Sequence, residues 1–206
     1  MLSIATVTER LRALNPSGGV YSISDLGVLL ERSHPSRLNE AIRALIRDQV
    51  LLRARRGLYV DRLNGYRADI LGQRWVTPSC LSTESALDRH HLCQTGITLC
   101  TYVTPRLIAR REQATKTLEA YTFIYRHVAP HLFFGYTTQD GVLIADAEKA
   151  VLDFLYFIYK RQGSVLSPED IDFTRLKPDR YRRYLEAYRQ RGFGDFARRL
   201  LHERGA

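Results

Sequence analysis

Lysine is scarce in this chain. Of its 31 cationic side chains only Lys116, Lys149, Lys160 and Lys177 are lysines, and the rest are arginines. Cysteine is scarcer still. Cys80, Cys93 and Cys100 are odd in number and share no repeated spacing, which argues against a disulfide framework. No stretch of eighteen apolar residues occurs, so no transmembrane helix is expected. The opening run MLSIATVTERLRAL is broken by Glu9, Arg10 and Arg12 and lacks the apolar core of a secretory signal. A reducing, cytoplasmic setting is the expectation. There is no glycine-rich phosphate loop, no internal repeat and no low-complexity segment.

What is present is a globular composition, 45% hydrophobic and 26% charged over 206 residues, enough for a core in one or two domains. The net charge is +9 and the pI about 9.7. A basic balance points to a polyanionic partner, nucleic acid first among them. Arginine strengthens that reading, because its planar fork matches phosphate and guanine. Residues 1–74 hold 12 arginines against 7 acidic residues.

The first domain is expected over residues 1–62. Ile4, Val7, Leu11 and Leu14 recur at helical spacing and predict a helix over residues 3–14, stopped by Asn15-Pro16-Ser17-Gly18-Gly19. Residues 20–23 read as a short strand, and Ser24 as the N-cap of a helix over residues 25–31. Pro35 suits the first position of a third helix. There Leu38, Ala41, Ile42, Leu45 and Ile46 share one face, while Ser36, Arg37, Asn39, Glu40, Arg43 and Arg47 occupy the other. Two β-like runs, VLLRA and LYV, then flank a basic tip ending in Gly57. Three helices followed by a basic hairpin is the element order of a winged helix-turn-helix. In such a unit the third helix enters the major groove and its first turns reach base edges. The expected DNA contacts are therefore Ser36, Arg37, Asn39, Glu40 and Arg43 on that helix, with Arg53, Arg55 and Arg56 on the wing.

Residues 63–78 read as a connector, and residues 79–206 as a second, mixed α/β domain, making the whole chain α+β. Ser82 is an expected N-cap with Glu84 in the first turn behind it. Residues 97–104 and 121–125 read as strands, and residues 133–145 as a hairpin turned by Gln139-Asp140-Gly141. Asp146 is expected to cap a helix over residues 147–160 that is apolar nearly all round and so central to the domain. Residues 179–191 and 195–203 read as terminal helices. They carry a stripe of Tyr181, Tyr184, Leu185 and Tyr188 among many arginines, a solvated face or a second basic surface.

Catalytic constellations are weak. Asp146, Glu148, Lys149 and Asp153 suggest a metal-dependent nuclease or transferase, but the adjacent Glu148-Lys149 lacks the Glu-x-Lys spacing of a restriction-type site. The first turn of a helix explains Asp146 and Glu148 more simply. His90, His91 and Cys93 lack a second ligand pair, so no metal and no cofactor are expected.

The run Cys80-Leu81-Ser82-Thr83-Glu84-Ser85-Ala86-Leu87, with His90-His91-Leu92 after it, resembles a "yiSlesAL…hgL" segment. Residues 144–153, Ile-Ala-Asp-Ala-Glu-Lys-Ala-Val-Leu-Asp, resemble an "iAdpEKAllDll" segment, with Phe134-Gly135 just upstream. Together with an N-terminal winged helix closing in Arg56-Gly57-Leu58-Tyr59-Val60, the chain resembles the AbiEi family of antitoxins over roughly residues 24–156. Ala147 departs from a frequent proline, a change either residue tolerates at a first helical position. The resemblance implies a non-enzymatic antitoxin of a bacterial type IV toxin–antitoxin system that represses its own operon by binding inverted repeats in double-stranded DNA. It also implies a second domain that supports cooperative binding, with self-association on DNA, and contributes to antitoxin activity, and a nucleotidyltransferase toxin as functional partner without obligatory direct contact. A winged-helix transcriptional regulator with no toxin partner is the alternative.

Overall fold

The computed structural model describes residues 4–13, 18–31, 34–95, 98–108 and 114–205. The protein is α+β, with eight α-helices and two β-sheets among the described residues. The chain divides into two units, Met1–Trp75 and Val76–Ala206. No helix among the described residues is long and apolar enough to cross a membrane.

The first unit runs α1 (Ile4–Ala13), β1 (Val20–Ser22), α2 (Ile23–Leu29), α3 (Pro35–Arg47), β2 (Leu51–Arg55), β3 (Leu58–Asp61) and α4 (Ala68–Trp75). Leu14 to Ser17, where the first helix was expected to stop, and Arg32-Ser33 lie outside the described residues. The cap of α2 falls two residues earlier than the sequence suggested. Ser22, not Ser24, accepts from the Asp25 backbone N–H at 3.1 Å, and the Asp25 carboxylate accepts from the Ser22 N–H at 2.7 Å. This reciprocal box satisfies two orphan donors, and it ends β1 at Ser22.

Strand β3 is central in an antiparallel sheet of order β1-β3-β2, pairing Val20 and Leu52 with Val60. Val7, Leu11, Tyr21, Leu26, Leu29, Ile42, Leu45, Val50, Leu51 and Tyr59 form one buried cluster, with Leu38, Ala41 and Ile46 packed on it. The apolar stripe expected on α3 is thus the stripe that packs on this cluster, and each buried leucine or isoleucine contributes about 2 kcal/mol. Residues 63–78 are more than a connector, because α4 lies within the first unit. Two glycines tie the start of α4 and the end of β3 to the stretch before β1. Gly18 O accepts from Arg67 N and Gly19 O from Asp61 N, both at 2.8 Å, with φ of +65° and +67° that other residues rarely adopt.

The second unit runs β4 (Cys80–Leu81), α5 (Thr83–Arg89), β5 (Leu99–Thr104), β6 (Thr115–Leu118), β7 (Tyr121–His127), β8 (Tyr136–Gln139), β9 (Val142–Ala145), α6 (Ala147–Tyr159), α7 (Pro178–Leu185) and α8 (Phe193–Arg204). The sheet order is β6-β7-β5-β4-β9-β8. The pairs β5–β7 and β4–β9 are parallel, and the others antiparallel. Asp140 and Gly141 both have positive φ, 48° and 80°, so they make the two-residue turn whose twist suits a hairpin. No local pattern marks β4 or β6, because β4 is only two residues long and β6 is short and polar. Helix α6 is buried along almost its whole length, and Val151, Leu152, Phe154 and Leu155 are fully enclosed. Helix α7 ends at Leu185, well before Arg191. There the backbone tightens, with Ala187 N donating to Tyr184 O and Tyr188 N to Leu185 O, which turns Tyr188 into the unit's interior.

Candidate nucleic-acid interface and a buried polar cluster

Helix α3 presents Ser36, Arg37, Asn39, Glu40 and Arg43 to solvent. Ser36 Oγ lies 2.8 Å from His34 Nδ1 at the helix start. Arg37, Asn39, Glu40 and Arg43 have no side-chain partner among the described residues. Arg47 differs. Its guanidinium is held by the Asp48 carboxylate at 2.9 Å, the interaction that also raises its pKa. The free polar row is therefore confined to the first three turns of α3.

The β2–β3 hairpin exposes Arg53, Arg55 and Arg56 around Gly57, whose φ of +78° makes the turn. A register shift between Arg53 and Arg55 marks a bulge in β2. Arg55 is anchored, donating to Arg56 O at 3.1 Å and to Arg74 O at 3.2 Å. Arg74 in turn donates to Val20 O at 2.8 Å and lies 3.4 Å from Asp25. Arg53 and Arg56 have no side-chain partner among the described residues. Sequence reasoning treated the three wing arginines alike. The structure separates one anchored arginine from two free ones, and missed signals include Arg74, which sat in the supposed connector.

In the second unit the residues of the two quoted segments come together below the surface. Ser82 begins α5 but makes no side-chain cap bond. Its hydroxyl instead donates to Asp153 Oδ2 at 2.7 Å. Asp153 Oδ1 accepts from the Lys149 ammonium one turn back on α6 and from the Tyr188 hydroxyl at 2.7 Å. Lys149 also donates to Tyr188 Oη at 2.9 Å and lies over the rings of Phe134 and Tyr188. Lys149 is 1% exposed and Asp153 0%. Burial, then the Asp153 charge, pushes the Tyr188 phenol well up, so it stays a donor. Gly135, at φ +70°, packs against Lys149 and Tyr184 where a Cβ would crowd both, and its carbonyl accepts from Asp146 N at 2.8 Å.

Two further contacts revise the capping picture. Asp146 does not cap α6 through its side chain, and its carboxylate accepts from Tyr184 Oη at 2.8 Å. Glu148, 3% exposed, accepts from Lys177 N at 2.8 Å. Glu84 is likewise no solvent-facing first-turn residue. It makes a bidentate pair with Arg126 at 2.7 and 2.8 Å, and Arg126 reaches Gly163 O at 3.1 Å. Burial raises the Glu84 pKa, but the Arg126 charge and hydrogen bonds outweigh it and hold the carboxyl below its ordinary range. Between Ser82 and Glu84, Thr83 sits at φ +48° with its hydroxyl buried.

His90 Nε2 lies 2.7 Å from Ala145 O, tying α5 to β9. Cys93 is half-buried, and burial with Asp88 nearby pushes its thiol up to about 12. Among the described residues no three His, Cys, Asp or Glu side chains stand where they could share a metal. Arg126 was missed from sequence because it sits on an alternating strand beside exposed His127. The Lys149–Asp153 spacing on a helix apolar all round was the available signal for a buried pair. Comparison with protein-family models gave no match, and comparison with curated proteins gave none either.

Proposed function

We propose that Met1–Trp75 is a winged helix-turn-helix that reads double-stranded operator DNA, and that the chain acts as an AbiEi-like antitoxin and autorepressor. One observation carries the DNA reading: among the described residues Arg37, Asn39, Glu40 and Arg43 on α3 have no side-chain partner, and neither do Arg53 and Arg56 on the hairpin. Arginine pairs with guanine and asparagine with adenine through two hydrogen bonds each, and unpaired side chains reach a groove without first breaking an ion pair. The wing arginines then neutralise phosphates or enter the minor groove. The toxin–antitoxin part rests on the AbiEi-like segments at residues 80–92 and 144–153. Ser82, Glu84, Lys149 and Asp153 from those segments build the buried contacts of the second unit.

The test is binding of the full chain to the DNA upstream of its own reading frame, by fluorescence anisotropy across salt concentrations. Arg37→Ala and Arg43→Ala are each expected to cost about 10-fold or more in affinity for the inverted repeat while leaving non-operator binding nearly unchanged. Equal loss on both DNAs would remove α3 as the reader. A neighbouring nucleotidyltransferase-like reading frame, toxic alone and tolerated when this chain is co-expressed, separates the antitoxin from a plain regulator.

A further inference from the structure

The net charge has a second home. Residues 177–205 hold nine cations and four carboxylates, and the stretch between residues 75 and 176 is close to neutral. Within that C-terminal stretch lies a cleft of about 480 Å³, lined by Arg182 from α7, Arg189 from the link and Arg198 from α8. From this juxtaposition we infer that the cleft binds a small phosphate monoester, through the guanidinium groups of Arg182, Arg189 and Arg198.

Arg189 has no ion-pair or hydrogen-bond partner among the described residues, so its fork is free for a ligand. Arg182 and Arg198 are oriented by carboxylates on their own helices, Asp179 at 3.3 Å and Asp195 at 2.8 Å. Each keeps further N–H groups to donate. Planar forks from separate backbone segments suit the oxygens of one phosphate, which accept bidentate bonds. Tyr188 forms part of the wall, and its bonds to Lys149 and Asp153 fix the ring. That rigidity spares a ligand the cost of ordering its site.

Size and charge select the ligand. The volume falls within the range of small-molecule sites, about 300–1,000 Å³. Glu186 and Asp195 also line the cleft and reduce its three positive charges to a net of one. Such a lining suits one compact anion and repels an extended polyanion at its acidic positions. Room beyond the phosphate accommodates a modest organic group.

The experiment is a titration of the full chain, followed by calorimetry and by backbone amide shifts, with inorganic phosphate and with phenyl phosphate. Ionic strength is held constant with chloride. The expected result is saturable binding, at least as tight for phenyl phosphate as for phosphate, with shifts centred on residues 182–198. Arg189→Gln should weaken it about tenfold or more. Arg191→Gln, a nearby arginine that does not line the cleft, should not. The inference is overturned if chloride has the same effect, or if both variants lose binding equally. It is also overturned if inorganic phosphate binds tighter than the monoester, or if non-operator duplex DNA protects Arg189 and phosphate fails to compete. The readout does not depend on operator binding by the first unit, so either can fail alone.

Discussion

Replacing Asp153 with alanine tests whether the buried cluster is an ion pair sealed from water. The substitution deletes the acceptor of Lys149, Tyr188 and Ser82 in one step. Lys149 would keep Tyr188 Oη and two aromatic faces. A desolvated cation over a ring gains about 2 kcal/mol or more, which offsets only part of the lost counter-ion. Breaking a buried pair from one side costs about 3–5 kcal/mol, because the remaining charge is uncompensated. The Ser82 hydroxyl, buried and without its acceptor, adds about 1 kcal/mol. A total near 5 kcal/mol is expected. The second unit spans about 130 residues, and unfolding entropy is about 2.1 cal/mol/K per residue. The melting transition of that unit should therefore fall by about 15–20 °C.

Circular dichroism melts and urea titrations of the full chain measure this. The double variant Lys149→Met with Asp153→Leu removes both charges together, and it should be more stable than Asp153→Ala despite carrying one more substitution. Apolar replacement of a whole buried pair is often neutral or stabilising. Recovery stays incomplete, since Ser82 and Tyr188 still lose their acceptor. A cost below about 1 kcal/mol for Asp153→Ala would refute the reasoning, and so would strict additivity of Lys149→Met and Asp153→Leu.

Arg56→Ala should lower the salt slope of DNA binding by about one unit, while Arg47→Ala, whose fork is held by Asp48, should leave it unchanged. Gly19→Ala places a Cβ against the Gly65 carbonyl at a positive φ, and should destabilise the first unit by more than about 1 kcal/mol in urea titration. Glu84 has a folded pKa below its unfolded one. Its stabilisation is complete above the ordinary carboxylate range and is lost as pH falls below about 4.5 towards the folded value. Glu84→Gln should accordingly be less stable than the parent at pH 7, with the gap narrowing by pH 3. Cys93, its thiol held up at about 12, should react with a thiol-exchange reagent far more slowly at pH 8 than an exposed peptide cysteine.

Periodicity made the long elements legible. The apolar stripe of α3, the hairpin turned at Asp140-Gly141 and the all-round apolar α6 each announce themselves through one local pattern. The exposed polar row of α3 follows from the same pattern by subtraction. What stayed hidden was the partner of each polar side chain, because partners come from residues distant in the chain. Ser82 and Asp146 have the residue types and positions of helix caps, and in isolation capping is the bond they would make. In the folded unit Asp153 lies 71 residues from Ser82 in sequence and Tyr184 lies 38 from Asp146, and these take the side chains instead. For Ser82 the reason is charge: its hydroxyl bound to the buried Asp153 carboxylate is charge-assisted, and that bond outcompetes a neutral one to a backbone amide.

The same competition explains why the quoted segments are informative although neither shows a catalytic pattern. Ser82, Glu84, Lys149 and Asp153 are each polar residues placed where the surrounding pattern is apolar or about to become so. A charge on a helix buried all round must find its counter-charge within reach, and on α6 the nearest candidate is one turn away. Lys149 and Asp153 meet that condition, but an isolated pair would leave carboxylate and ammonium valences open. Ser82 from β4's end and Tyr188 from beyond α7 fill them. Three chain segments are therefore fixed by one carboxylate and one ammonium. Moving either group by one residue along α6 would turn it about 100° away from its partners. The spacing of charges in the segment is thus a requirement of packing, and a substitution there is expected to act on the fold of the second unit before it acts on anything the protein binds.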